Sequence, residues 1–538
     1  MLLGYVLYSP LAVGHFERFR RGSRGLQGIH YFWGFPSHLD RVAWCRILTW
    51  GVCMNSKRAL FLLGFAAIFV LTSCSGAKTA VCTSNCGVGG GTGKATLTLF
   101  LRATPLTPPA STNLLAFETA ITGISLTPNT GSTVNINATA ALDFVRMQSD
   151  TLIIFTDSNV PAGQYTSITV GFAGSKVTYC TQPTSGVAGC VAGSVAYASG
   201  SVASPTIPVT FSLSNSQQAG LEINLNTAQV LTVSNQIVSA VNLNTPSAYT
   251  VGTLPRAKSS LGTGQLEFLE NILAEVDTVS TSGQQITFLT PLMPNGYFVA
   301  TSNSSTYFSP NCLLEGTACP PTRGQLANVD VAVNADGSMT MLSFDPLSTV
   351  MQPWIDGIVT SPPSSSTQFQ IVAGQQPEAS QLPSGSLVNV TLATPLSFGF
   401  FIDSKGLTIP ANNIAGSTDA TVLLPGMTVG LRVTAFTPAS GNTPASITAN
   451  LVILRFSTVA GSIASAPTLN SFFVQSLPSF FGLTTNSAVY PNAVTPTTNF
   501  DGVTDATGLT VGQTVAIRAL YLGPNPVPPF VPAKVRAF

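Results

Sequence analysis

From Ala95 onward the apolar residues of this chain recur with a period of two rather than 3.6. Leu97, Leu99 and Leu101 alternate, as do Ile168, Val170 and Phe172, then Val209, Phe211 and Leu213, then Leu221, Ile223 and Leu225. Successive side chains of a strand point to opposite faces, so this alternation builds one apolar face on a strand and none on a helix. Phe117, Thr119 and Ile121 alternate too; the phase then shifts at Gly123 to Ile124 and Leu126, as it does across a β-bulge. The runs are short and are separated by Gly, Pro, Asn and Ser clusters, the punctuation of sandwiches and barrels. The expected class is all-β.

The second half of the chain repeats itself. LPGMTVGLRV (424–433) aligns with TVGQTVAIRA (510–519), placing Gly426 on Gly512, Val429 on Val515 and Arg432 on Arg518. DGIVTSPPSSSTQFQIV (356–372) parallels AGSIASAPTLNSFFVQS (460–476), with Gly357 on Gly461. A weaker copy begins at AEVDTVSTSGQQITFL (274–289) and ends near MTMLSFD (339–345). The spacing, roughly 85–105 residues, is too long for a solenoid unit and suits small closed domains.

These stretches carry two resemblances. FETAITGISL, ALDFVRM, VPAGQYTSITVGF and LEINLN, in that order, with Asp143, Pro161, Gly163 and Tyr165, resemble domain-of-unknown-function family 4382 over roughly residues 95–245. That resemblance implies an all-β sandwich in a bacterial envelope lipoprotein, with no activity attached. The repeats resemble family 5666, small β-barrel-like units of exported bacterial proteins, over about residues 265–538. The expected architecture is therefore an N-terminal β-sandwich (95–250) followed by about three small β-barrel-like domains in tandem (265–351, 352–455 and 456–538).

The address is written at Met54–Cys74, MNSKRALFLLGFAAIFVLTSC. Lys57 and Arg58 precede an uncharged run from Ala59 to Ser73, too short for the ~20 apolar residues of a spanning helix and suited to an export signal. Its end, Leu71-Thr72-Ser73-Cys74, resembles the lipobox of bacterial lipoproteins, which implies cleavage before Cys74, lipidation of that residue and a membrane anchor of acyl chains. Residues 1–53 are then expected to be a mis-annotated extension of the reading frame, 54–73 the signal peptide and 74–94 a flexible, small-residue tether. Ser75 after the Cys favours the outer membrane over the inner, with the face left open.

Cysteine usage agrees with export. Beyond Cys74 the chain has Cys82 and Cys86, Cys180 and Cys190, and Cys312 and Cys319, three close pairs that read as local disulfides in an oxidising compartment. Six cysteines allow 15 connectivities, of which nearest-neighbour pairing is the favoured one. Only Cys82/Cys86 has metal-ligand spacing, and no second such pair answers it.

The chemistry that remains is narrow. All three His (His15, His30, His38) precede Met54, so the exported part has no imidazole for Ser-His-Asp or Cys-His catalysis or for zinc. GVGGGTGKAT (87–96) departs from a phosphate-binding loop at Val88 and Ala95. With 22 basic and 21 acidic residues and only 8% of the chain charged, no basic field invites nucleic acid. Asp143, Asp150 and Asp157 are the carboxylates a glycoside hydrolase would use, but turn-capping is the favoured role. Glu267, Glu270, Glu275 and Asp277 form the densest acidic run, read as a solvated face or an interdomain linker rather than a calcium loop. Arg432 and Arg518 offer an anion-binding pair but are read as exposed strand residues. Phe472, Phe473, Phe480 and Phe481, with Phe398, Phe400 and Phe401, are read as barrel core rather than a sugar platform, and Trp354 is the one Trp after residue 53. The expectation is a non-enzymatic, lipid-anchored envelope protein of structural or ligand-binding type without cofactor or metal. Its partners would be the membrane through Cys74 and an envelope protein or polysaccharide, not nucleic acid. A polysaccharide-binding or adhesive surface lipoprotein is the alternative, and a carboxylate-based hydrolase comes third.

Overall fold

Alternating sequence becomes strand: the described residues are nearly all β, with 60% strand and 5% helix. A computed structural model describes residues 93–538 apart from 107–112, 182–188, 192, 255–264, 290–296, 310–319, 349–353, 375–381, 383, 397–398, 482, 484–486, 490–497 and 524–528. Cys74, expected to be the lipidated residue, the pairs Cys82/Cys86 and Cys312/Cys319, the expected signal segment and most of the expected tether lie outside the described residues.

The N-terminal region holds β1 (Lys94–Thr104), β2 (Asn113–Pro128), β3 (Val134–Ile136), β4 (Ala140–Asp143), β5 (Leu152–Pro161), β6 (Gly163–Phe172) and β7 (Ser175–Cys180). It continues with β8 (Val195–Gly200), β9 (Thr206–Leu213), β10 (Gln218–Asn226), β11 (Leu231–Ser234), β12 (Ile237–Val241) and β13 (Tyr249–Leu254). One sheet runs β13-β10-β1-β5, with β1 and β10 parallel; another runs β8-β7-β2-β6-β9, with β3 and β4 also paired to β2. Leu97, Leu99 and Leu101 of β1 and Ile168, Val170 and Phe172 of β6 have no exposed surface and share one core. Each such side chain contributes about 1.5–3 kcal/mol by leaving water. The β2–β6 ladder slips between Ile121 and Gly123, the position of the phase shift in the sequence. At the β5–β6 turn, the Tyr165 hydroxyl donates to the Pro161 carbonyl at 2.7 Å, tying the strand back to its own corner.

Three six-strand sets come next. The first is β14 (Gln265–Val279), β15 (Gln285–Leu289), β16 (Tyr297–Thr301), β17 (Tyr307–Phe308), β18 (Leu326–Asn334) and β19 (Met339–Ser348). The second is β20 (Trp354–Val359), β21 (Gln368–Ala373), β22 (Leu387–Leu392), β23 (Phe401–Ile402), β24 (Thr428–Thr437) and β25 (Ala445–Arg455). The third is β26 (Ser457–Ile463), β27 (Phe472–Gln475), β28 (Ser487–Val489), β29 (Asn499–Asp501), β30 (Thr514–Tyr521) and β31 (Phe530–Ala537).

Within each set the third, second, first, fifth and sixth strands lie side by side, with the fourth strand on the outer edge of the sixth. The third strand then meets the sixth in parallel. This closes the first two sets into five-strand barrels, through Ala300/Met339 and Thr301/Thr340 in one and Val388–Leu392 against Ala445–Ala449 in the other. The third set repeats the order, its ring meeting at the single pair Val489/Phe530. The aligned residues of the sequence repeats occupy matching ladder steps: Gly357 faces Val429 in the second set, and Gly461 faces Val515 in the third.

Candidate functional site

Asp143 ends β4 and organises the turn after it. Its Oδ1 accepts the N–H groups of Phe117 and Val145, each at 2.9 Å, and so starts the 3-10 turn Arg146–Gln148. Arg146 turns its guanidinium back to Asp150, with Nε and Nη2 both at 3.3 Å from Oδ2. On the opposing side, Asp356 of β20 accepts from Trp354 Nε1 and from Arg455 Nη1, each at 2.9 Å. Arg518 of β30 lies over the Phe456 ring, 5.3 Å from its centroid. These groups converge on a cavity of about 110 Å³ where the N-terminal region, the second barrel and the third set meet. Leu115, Ile358 and Val372 supply its apolar wall, and Asp143, Arg146, Asp356, Arg455 and Arg518 its charged one.

The electrostatics separate the acids. Burial holds Asp143 above the ordinary carboxylate range, opposed by the N–H groups of Phe117 and Val145. Burial also pushes Asp150 up, but Arg518 and Arg146 together with Lys534 outweigh it and leave Asp150 below that range. Glu118 stands across the β2–β4 ladder from Asp143 and across the β2–β7 ladder from Lys176. Burial, reinforced by Asp143, raises it well above its usual value. A cavity so lined offers guanidinium donors, carboxylate acceptors and an apolar wall, which suits a small polar molecule.

Behind the cavity the charges are spent on joining the parts. Arg536 of β31, with no exposed surface, donates to the carbonyls of Met147, Gln148 and Asp150 at 3.1, 3.2 and 2.8 Å and to Thr151 Oγ1 at 2.6 Å. Asp501, its acid, sits 2.7 Å from Nε and is also 3.4 Å from Arg102, which pairs with Glu222 at 2.6 Å. Cys180 and Cys190 form a disulfide with Cα atoms 5.7 Å apart, and its loop docks too. Cys190 N–H donates to Thr360 of the second barrel at 2.8 Å, and Gly189 N–H to Phe480 of the third set at 2.6 Å.

The residues singled out in the sequence divide accordingly. Asp143, Asp150 and Asp157 each accept a backbone N–H from a near neighbour, as turn-capping residues do, and only Asp143 lines the cavity. Arg432 and Arg518, expected to be exposed, are buried at 9% and 4%. The outward face of a barrel strand is covered here by neighbouring parts of the molecule, and Arg432 donates to Asn450 at 2.8 Å. The two do not form a pair at one site: Arg518 lines the cavity and Arg432 does not. Of the acidic run, Glu267 is fully buried, 4.0 Å from Lys534, instead of solvated; Asp277 faces Arg323 at 3.7 Å. The side chain of Glu270 lies outside the described residues. Phe472, Phe480, Phe481 and Phe400 are core, as is Trp354, whereas Phe473 is 37% exposed. Phe398 lies outside the described residues.

Sequence reasoning passed over Arg146, Asp356 and Arg455. The signal available was scarcity itself: with 8% of the chain charged, each charge beside a strand end is a candidate for a defined role. Among the described residues, no group of three or more His, Cys, Asp or Glu is placed to hold a metal ion, and no helix is long and apolar enough to cross a membrane. Comparison with family models, curated proteins and solved structures found no match.

Proposed function

We propose that this is an exported, lipid-anchored cell-envelope protein of non-catalytic, ligand-binding type, held by acyl chains on Cys74. The uncharged run Ala59–Ser73 ending in Leu71-Thr72-Ser73-Cys74 carries the reading. The Cys180–Cys190 disulfide supports it, since such bonds persist in oxidising compartments. The test is metabolic labelling with a fatty-acid analogue followed by membrane fractionation. The native chain is expected to be labelled and membrane-bound, and Cys74→Ala unlabelled and released. A Cys74→Ala chain that remains as firmly membrane-bound as the native one overturns the anchor.

The binding site of this reading is the cavity at Asp143, Arg146, Asp356 and Arg518. Its mixture of donors, acceptors and apolar wall favours a small polar ligand over a polymer surface, and the aromatic residues of the third set are mostly in the core. Thermal-shift screening against monosaccharides, amino acids and small carboxylates tests it. Stabilisation of the native chain but not of Ile358→Trp, which fills the cavity, is the supporting result.

A further inference from the structure

A second cluster of buried polar groups lies where the first barrel meets the second. Asn328 and Asp330 alternate on β18 with the core residues Val329 and Val331, so they face out of the first barrel; Ser343 and Asp345 flank core Phe344 on β19. Yet Asn328, Ser343 and Asp345 are buried, because the turn after β23 packs over them. Asn328 Nδ2 donates to Asp403 Oδ2 at 2.5 Å, and Lys405 Nζ approaches Asp330 Oδ1 to 2.5 Å. Lys405 and Asp330 side chains are 7% and 13% exposed. Ser343 Oγ donates to the other Asp330 oxygen at 2.7 Å.

We propose that the side chains of Lys405 and Asp330 condense into an intramolecular isopeptide bond that ties the first barrel covalently to the second. Three independent features converge on it. Lys405 has φ +48°, a left-handed backbone that long side chains rarely adopt and that marks a residue held in place by its surroundings. The amine and the carboxyl are brought together in an enclosed site, the arrangement that replaces a bimolecular encounter by a unimolecular step. The third feature is the proton source. Asp345 Oδ2 and Asp403 Oδ1 are buried without a hydrogen-bond partner. Burial, with Asp403 beside it, holds Asp345 up to about 7, so this carboxyl keeps a proton near neutral pH for polarising the Asp330 carbonyl. Burial raises Asp403 likewise, opposed by Lys405 and Arg455. Tyr307 and Ser309 face Asp345 from the first barrel, and Arg518 acts on Asp403 from the third set.

The atoms balance without any co-reactant. The Lys405 ammonium gives up two protons, the Nζ–Cγ bond forms, the Cγ–O bond of Asp330 breaks, and the oxygen leaves with both protons as one water. Asp345 relays a proton and ends as it began. No electrons are exchanged. The product replaces a buried ion pair, which carries a desolvation cost on both partners, by a neutral amide.

Intact-mass spectrometry of the reduced, denatured full chain tests this directly. The native chain, as processed and acylated, is expected to be lighter by one water than the mass of the same species without the link, with a digest containing a branched peptide that joins Lys405 to Asp330. Lys405→Ala and Asp330→Ala, processed in the same way, are expected without the loss of water. Because the readout is taken on denatured protein, a folding defect in either variant leaves the native result decisive. A native chain at the unlinked mass of its processed form overturns the proposal, as does a missing water traced elsewhere, such as a cyclised aspartate. Asp345→Asn is expected to lower the linked fraction at least tenfold at a fixed time after synthesis; an unchanged fraction overturns the role given to Asp345.

Discussion

Arg536 donates through Nε to Asp501 at 2.7 Å, and neither side chain is more than 3% exposed. The same guanidinium satisfies three carbonyls of the Met147–Asp150 turn, so one side chain joins the third set to the N-terminal region. Removing one member of a buried pair strands the other charge and costs about 3–5 kcal/mol. Arg536→Ala is expected to lose stability in that range by chemical denaturation and to open the 143–151 segment to proteolysis. A loss within the roughly ±0.5 kcal/mol of a surface change would mean that the pair is not buried in solution.

Glu118 gives a pH signature of defined sign. Its folded value is raised well above 4.5, so the native state holds its proton to higher pH than the unfolded chain does. The fold therefore loses stability as pH climbs from the ordinary carboxylate range toward the raised value, then levels off. Glu118→Gln, which keeps the shape without the charge, is expected to match the native chain at acid pH and to exceed it in stability at neutral pH. A stability difference that is flat with pH argues against it.

Gly426 and Gly512 are equivalent repeat positions with φ +93° and +85°, but their surroundings differ. A Cβ on Gly426 collides with the Phe481 ring, whereas a Cβ on Gly512 meets nothing within 4 Å. Gly512→Ala is expected to cost only backbone strain, about 1–3 kcal/mol. Gly426→Ala should add an overpacking cost of about 1–3 kcal/mol. Equal melting temperatures for the two variants would show that the Phe481 contact is not made.

The Cys180–Cys190 bond closes a short loop, with a sequence separation of 10, so the loss of both thiols in Cys180→Ser/Cys190→Ser should cost roughly 2–3 kcal/mol. Because the Gly189 and Cys190 N–H groups donate to carbonyls of the third set and the second barrel, hydrogen exchange is expected to rise at the Gly189 and Cys190 amides. Unchanged exchange at these two amides would show that the disulfide does not hold the loop in its docked place.

Period-two alternation was enough to recognise the strands, and the glycines at 357, 426, 461 and 512 were enough to align the repeats, because both signals are local. Burial of charge is not local. Glu267, Arg455, Arg518 and Arg536 sit on strands whose periodicity tells only which face a side chain occupies. Whether that face meets water depends on what another part of the chain lays over it, hundreds of residues away. For the same reason Asp356 and Arg455 left no mark as cavity residues: each is one charge on one strand, and the site exists only where three parts of the molecule meet. Asp143 was noticed for its position in a motif, and its capping role came from ordinary turn chemistry.

The clasp of Arg536 on the carbonyls of residues 147–150 also orders events in time. Those carbonyls are synthesised first, and their donor comes 386 residues behind the nearest of them. At the ~5–20 residues per second of protein synthesis, the turn waits on the order of tens of seconds for its arginine. Throughout that wait the growing chain displays an open junction, which only a chain made as far as Arg536 can shut. A chain that stops short of Arg536 leaves the Met147, Gln148 and Asp150 carbonyls without this donor.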